Sequence, residues 1–193
     1  MQSYRKSTMG TASNLDPNLK ITTQFFPDGE RGNLATVDFM KKIARERAVH
    51  PLVRQLGIKI LNEAQTKSHN HADEALAIGR WVQQNVRYMK DPDGVELLQD
   101  PVYVIQKAMT NEARGDCDDM ALLIATLLVS IGIAPSFKVV RWKNQSGNYN
   151  HIYVTVDEGN YQLPKKLIAL DAIVKDQEMG YELKSLSSKT IPV

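Results

Sequence analysis

Arg114-Gly115-Asp116-Cys117-Asp118-Asp119-Met120, followed by Ala121-Leu122-Leu123-Ile124-Ala125-Thr126-Leu127-Leu128-Val129-Ser130-Ile131, is the stretch that decides the fold. It sets the only cysteine of the chain between a polar turn and an apolar run. The run holds no Pro or Gly and is rich in Leu and Ala, which predicts a buried helix. Gly132 is suited to the position after the last turn, and Pro135 prevents the helix from resuming. Asp116 is the predicted N-cap, with Asp119 as its acidic partner three residues on, an arrangement like a capping box. Cys117 is then the first helical residue. At helical spacing Cys117, Met120, Ala121, Ile124, Leu127, Leu128 and Ile131 form one apolar stripe.

That placement bears on chemistry. A helix N-terminus favours an anion through its unsatisfied N–H groups and its dipole, which tunes a thiol toward thiolate. The bland alternative is a free cysteine packed as a small hydrophobe; neighbours that are Gly, Arg and Asp argue against it. Asp116, Asp118 and Asp119 oppose thiolate formation by like-charge repulsion. A nucleophilic Cys117 therefore needs an offsetting partner, and histidine is the usual one.

Upstream, residues 1–19 are Ser, Thr, Asn and Lys with little periodicity, which predicts an arm that is flexible or docked on a partner. Leu19 to Phe26 alternates and predicts a short strand closed by Pro27-Asp28-Gly29. Helices are expected over 33–48, with Val37, Met40, Ile43, Ala44 and Ala48 inward, over 52–66, and over 72–86. Lys41, Lys42, Arg45 and Arg47 read as a solvated helix face. His69 and His71 lack further ligands at metal-site spacing, and Asp91-Pro92-Asp93-Gly94 lacks the rest of a calcium loop. A short extended piece at 96–100 precedes a helical turn from Pro101 to Lys107.

Downstream, the apolar period changes from 3.6 to 2. Strands are expected over 136–142, over 151–156 and over 166–171. In the second, Ile152, Val154 and Val156 face one way and His151, Tyr153 and Thr155 the other. Residues 176–193 read as a polar tail docked by Tyr181, Leu183 and Leu186. Helices followed by an antiparallel meander give an α+β class, with a central Cys-bearing helix packed against the sheet.

Composition narrows the function. Over 193 residues the apolar share is 42%, the charged share 24% and the net charge +2. These values give no case for a nucleic-acid or anionic-membrane surface. No apolar stretch reaches the ~18 residues of a membrane span, and the first twenty residues show no secretory signal, so a cytoplasmic or virion-associated protein is expected. A single cysteine excludes an internal disulfide and thiol-rich zinc sites. No cofactor and no metal is expected.

A thiol nucleophile needs a base within reach and a group to orient that base. Of the four histidines, only His151 opens a strand in the sheet half. Asp171 closes the neighbouring strand. If those two strands pair antiparallel, the start of one meets the end of the other, and His151 and Asp171 share one rim. The Cys117 helix would bring its N-terminus to the same rim.

The ordered blocks Gly115-Asp116-Cys117-Asp118-Asp119, Gly132-Ile133-Ala134-Pro135, His151-Ile152-Tyr153-Val154 and Leu170-Asp171 resemble the transglutaminase-like superfamily of cysteine enzymes. Val86-Arg87-Tyr88, Asp91-Pro92 and Glu96-Leu97-Leu98-Gln99-Asp100-Pro101 resemble its bacteriophage and prophage branch. The resemblance covers about residues 20–175 and implies a transglutaminase-like fold. It implies Cys117 as nucleophile, His151 as base and acid, and Asp171 as the residue that orients the imidazole. It also implies a thioester intermediate on an amide or peptide substrate, resolved by water or an amine. The oxyanion would be held by the Cys117 N–H and one more donor, for which Gln99 is the candidate. A non-catalytic virion assembly module, partnered by other phage structural proteins, is the rival reading. A metal-dependent hydrolase using the Asp cluster with His69 and His71 is the third.

Overall fold

The computed structural model describes residues 4–8, 23–27, 30–67, 69–91, 96–142, 149–158 and 167–193. Its centre is the predicted helix, α5 in chain order, over Cys117–Ser130. Both ends form as the sequence specifies. Asp116 caps the start, with its side chain and that of Asp119 closing a capping box. At the far end Gly132 takes φ +86. Gly132 N donates to Val129 O at 3.1 Å and Ile133 N to Leu128 O at 3.0 Å, the paired bonds of a Schellman motif.

The single apolar stripe is where expectation and structure part. Leu122, Leu123, Ala125 and Thr126 lie off that stripe and are as inaccessible as Ile124 and Leu127 on it. The reason is that α5 is surrounded. It packs on α1 (Glu30–Ala48), α2 (Pro51–Glu63), α3 (His71–Asn85) and α4 (Pro101–Met109), and on strands β6 (Pro135–Arg141) and β7 (His151–Asp157). A helix that is apolar all round is a core helix. Its polar side chains are satisfied locally: Thr126 Oγ1 donates to Leu122 O and Ser130 Oγ to Leu127 O, both at 2.7 Å. Truncating Leu123 or Leu127 to alanine there costs about 2–5 kcal/mol.

Three of the surrounding helices, α2, α3 and α4, start on side-chain caps. His50 Nδ1 accepts from Leu52 N, and Pro51 occupies the first turn of α2. Asp100 caps α4 through Val102 N at 2.8 Å. Asp100 also accepts from Arg47 Nε at 2.6 Å, with its side chain fully buried. Arg47 is therefore not part of a solvated face. It neutralises a carboxylate that burial would otherwise make costly.

The main sheet has the order β8-β7-β6-β9, all antiparallel, with β8 over Leu167–Leu170 and β9 over Ser187–Pro192. Phe137, Ile152, Val154 and Leu170 point from it into the core against α5. The two faces expected for 151–156 form as read, with Ile152, Val154 and Val156 in the main core and Tyr153 on the other side, and both faces are covered, so all six residues are buried. A second small cluster of Val140, Tyr153 and Ala169, with Trp142 against it, covers the other face.

The C-terminal segment is a second correction. Tyr181, Leu183 and Leu186 do not dock; they are 51%, 38% and 53% exposed. Met179 is buried instead, and β9 completes the sheet by backbone pairing with β6. Its sequence, SSKTIP, has too little apolar alternation to announce a strand.

Near the N-terminus, β1 (Tyr4–Thr8) pairs antiparallel with β2 (Thr23–Pro27) and parallel with β4 (Glu96–Leu97). So part of the stretch read as an arm without regular structure is a strand. Residues 92–95, which include most of the expected Asp91–Gly94 turn, lie outside the described residues.

Candidate active site

Cys117 stands on a turn clamped by three devices. β3 (Arg87–Tyr88) and β5 (Arg114–Gly115) form a short parallel pair. Within it Arg87 N bonds Ala113 O at 3.0 Å and Met89 N bonds Gly115 O at 2.9 Å. The capping box comes next, with Asp118 N on Asp116 Oδ1 at 3.2 Å and Asp116 N on Asp119 Oδ2 at 3.4 Å. The third device is Asp119 itself, buried and reached by Gln99 through its backbone N and its side-chain Nε2, each at 2.6 Å. Gly115 has no alternative there: a Cβ would lie 2.6 Å from Asp119 Cβ. Burial, with the Asp116 carboxylate beside it, pushes the Asp119 carboxyl well above the usual range, and the two Gln99 bonds pull it back in part.

The second half of the site lies at one rim of the main sheet. His151 opens β7, and Asp171 directly follows β8. Because Val154 faces Leu170 across these antiparallel strands, Asp171 comes diagonal to His151 on the same face, within reach of a long side chain. His151 Nε2 lies 2.7 Å from Asp171 Oδ2, with both residues buried. Asp171 Oδ1 accepts from Ile173 N at 3.3 Å, which holds the carboxylate in place. With Nε2 engaged on Asp171, Nδ1 is the ring nitrogen that can serve a thiol.

Residues not singled out from sequence surround the imidazole. The Trp142 ring centroid is 4.3 Å from that of His151, tilted by 30°, and Tyr153 is 5.8 Å away. The Tyr153 hydroxyl donates to Glu182 Oε1, which also accepts from Lys138 Nζ. Burial, then the bond to Glu182, raises the Tyr153 pKa. Burial raises Glu182 as well, but the Lys138 and Tyr153 bonds outweigh it and hold that carboxylate below its ordinary value. Trp142 sits next to a strand end and Glu182 in a stretch without periodicity, so neither carried a signal.

The two halves meet at a cavity of about 230 Å³. Cys117 and His151 both line it, with Asp116, Asp118, Tyr88 and Lys90. Burial and the neighbouring Cys117, Asp116 and Asp118 raise the Tyr88 pKa, which favours the protonated phenol, a donor. Gln99 is not among the lining residues. Its Nε2 donates to Arg114 O at 2.7 Å as well as to Asp119 Oδ2, so the amide faces the turn.

Among the described residues, Asp116, Asp118 and Asp119 are the group of acidic and imidazole side chains close enough to share an ion. His69 and His71 are not in it; His71 opens α3 and His69 lies just before it. The Asp–His metal set of the third reading is therefore not assembled among the described residues.

The fold and its sequence blocks define a class. The transglutaminase-like domain family matches residues 56–188, and the chain belongs to that family. Solved structures with similarity to the chain include a candidate cysteine protease from Cytophaga hutchinsonii, at 19% identity and a TM-score of 0.41 over 71% of this chain. A candidate protease from Parabacteroides distasonis is 15% identical over 83% of the chain, with a TM-score of 0.49. LapG of Legionella pneumophila is 17% identical over 78%, with a TM-score of 0.44. The chain spans 42% of the first of these, 34% of the second and 83% of the third. No curated protein matches it in sequence. No helix among the described residues is long and apolar enough to cross a membrane.

Proposed function

We propose that the protein is a thiol-dependent peptidase or amidase, with Cys117, His151 and Asp171 as its triad. The observation that carries this reading is the His151–Asp171 hydrogen bond at 2.7 Å on a cavity that Cys117 also lines. His151 Nδ1 takes the thiol proton, and the sulfur attacks the substrate carbonyl. The proton then passes from the imidazole to the departing amine, leaving a thioester on Cys117. Water, or a second amine, attacks the thioester with His151 again as base and releases the thiol.

The Cys117 backbone N–H, at the start of α5, faces the developing oxyanion. The Gln99 amide is committed to Arg114 and Asp119, so we assign it to holding the turn, and Tyr88 on the cavity wall supplies the side-chain donor. The imidazolium formed during the reaction also offsets the carboxylates crowded around the thiol. We take the catalytic unit as the predicted domain at 20–175 extended to include β9, and its substrate as a protein or peptide. The phage or prophage origin rests on the sequence resemblance, the cytoplasmic or virion location on the sequence expectation above, and the virion-assembly rival on the resemblance together with the polar N-terminal arm.

Alkylation with iodoacetamide across pH tests the triad. Cys117 should keep reacting well below the ~8.5 of an ordinary thiol, and His151→Ala should abolish that acidic reactivity. A wild-type profile that follows an ordinary thiol and ignores His151→Ala would refute the reading.

A further inference from the structure

We propose that the outer edge of β3 is the docking strand for the substrate, which binds as an extended peptide whose backbone pairs with Tyr88. This rests on the thiol-enzyme reading and adds the form of the substrate to it. In a parallel ladder alternate residues turn their N–H and C=O toward the neighbouring strand. Arg87 N donates to Ala113 O and Met89 N to Gly115 O, so Arg87 and Met89 are the residues that face β5. The N–H and C=O of Tyr88 therefore point to the opposite edge. Among the described residues, β5 is the one strand paired with β3. Residues 87–90 are exposed, and Tyr88 is 49% exposed.

The two edges of this small sheet differ. On the β5 side Gly115 is buried, and Arg114 O accepts from Gln99 Nε2 at 2.7 Å. That edge is closed by the protein itself. The β3 edge presents one donor and one acceptor, and it borders the site: Tyr88 and Lys90 line the cavity together with Cys117 and His151. An unpaired strand edge is a template for another chain. A peptide that adds to it gains main-chain hydrogen bonds with little demand on its side chains. In antiparallel pairing a single substrate residue exchanges both bonds with Tyr88. At two residues, β3 is long enough to register a passing substrate and too short to invite lasting self-association. The segment that docks must be extended, and its residue opposite Tyr88 is not proline, which has no N–H to give.

The test uses the full wild-type chain and acetylated tripeptidyl chloromethyl ketones, which alkylate Cys117. One is the parent, and three carry a single N-methyl group, one at each amide. Methylation at one position should slow labelling at least about threefold, the worth of one net hydrogen bond. The adjacent amides, whose N–H groups point away from the edge, should tolerate methylation at the parent rate. Hydrogen exchange read by NMR supplies the protein side. In the parent adduct the Tyr88 amide should exchange at least about tenfold more slowly than in the iodoacetamide adduct, which carries no peptide. Equal rates for all four peptides, or no labelling by the parent, with iodoacetamide reactivity still dependent on His151, overturns the docking edge and leaves the nucleophile standing. Position-dependent slowing with an unprotected Tyr88 amide places the pairing elsewhere and overturns it too. Wild-type iodoacetamide reactivity like that of an ordinary thiol overturns both readings.

Discussion

The turn that carries Cys117 and the rim that carries His151 are held in place by opposite means. The turn is fixed by polar contacts that start within a few residues of the thiol: a capping box, a buried carboxylate taking two N–H groups from Gln99, and a glycine with no room for a Cβ. The rim is fixed by sheet register and ring packing. Strand register brings Asp171 to His151, the Trp142 ring lies against the imidazole, and Tyr153 is bonded to Glu182. Damage to the turn should therefore appear first as lost stability and a misplaced thiol. Damage to the rim should appear in the proton chemistry, with the fold intact.

The sharpest way to separate the two is Asp171→Asn. It keeps the shape at the rim but removes the charge that orients and stabilises the imidazolium. On the triad reading, turnover should fall by about 10⁴-fold, with a melting temperature within a few degrees of wild type. Peptide hydrolysis beside a thermal melt checks both, and a loss of under tenfold would detach Asp171 from the chemistry.

Next in size is Asp119→Asn at the turn. One face of the new amide points N–H groups at the Gln99 and Asp116 donors, leaving them without an acceptor, at a cost of about 1–3 kcal/mol. The pH dependence follows from the raised pKa of Asp119. The folded state holds that proton more tightly than the unfolded chain does. The associated stability is therefore full below the ordinary carboxylate range and declines as pH rises toward the raised value. Urea unfolding from pH 4 to 7 should show a flatter stability curve for the variant than for wild type, and parallel curves would break the assignment.

A smaller effect is expected from Trp142→Leu. Loss of the ring against His151 should move the acidic limb of the alkylation profile and lower turnover about tenfold, below the ~10²–10⁴-fold that a general acid–base group itself contributes. An unchanged profile would reduce Trp142 to packing. The least is expected from Glu182→Gln, a partly exposed group whose ion pair is screened by solvent, with a change below about 1 kcal/mol. Its lowered pKa gives the sign: the contribution is present above the ordinary carboxylate value and is lost as pH falls through the folded one. Unfolding at pH 7 should therefore distinguish the variant from wild type more than unfolding at pH 3.

Much of the molecule is written locally and was legible for that reason. The N-cap Asp116, the capping partner Asp119, the terminator Gly132 and the start of α5 at Cys117 all follow from contacts within one helical turn. The inward residues of α1 follow from its 3.6 period, and the two runs that pair antiparallel as β7 and β8 were both legible as strands, their pairing being a condition that the register meets. What needed coordinates depends on partners with no local signature. Arg47 looks solvated until Asp100 is found beside it, and Gln99 looks available until Arg114 and Asp119 claim its amide.

The sequence by itself determined that one thiol opens a buried helix, and that one imidazole and one carboxylate end up on neighbouring strands. Helix caps and strand periods are short-range physics, with every participant within a few residues of the next. Only the tertiary structure decided that α5 is enclosed on all sides, that the C-terminal segment supplies the sheet's last strand, and that thiol and imidazole line one cavity. Those outcomes are set by which distant surfaces bury each other, and burial between segments far apart in the chain leaves no period to read.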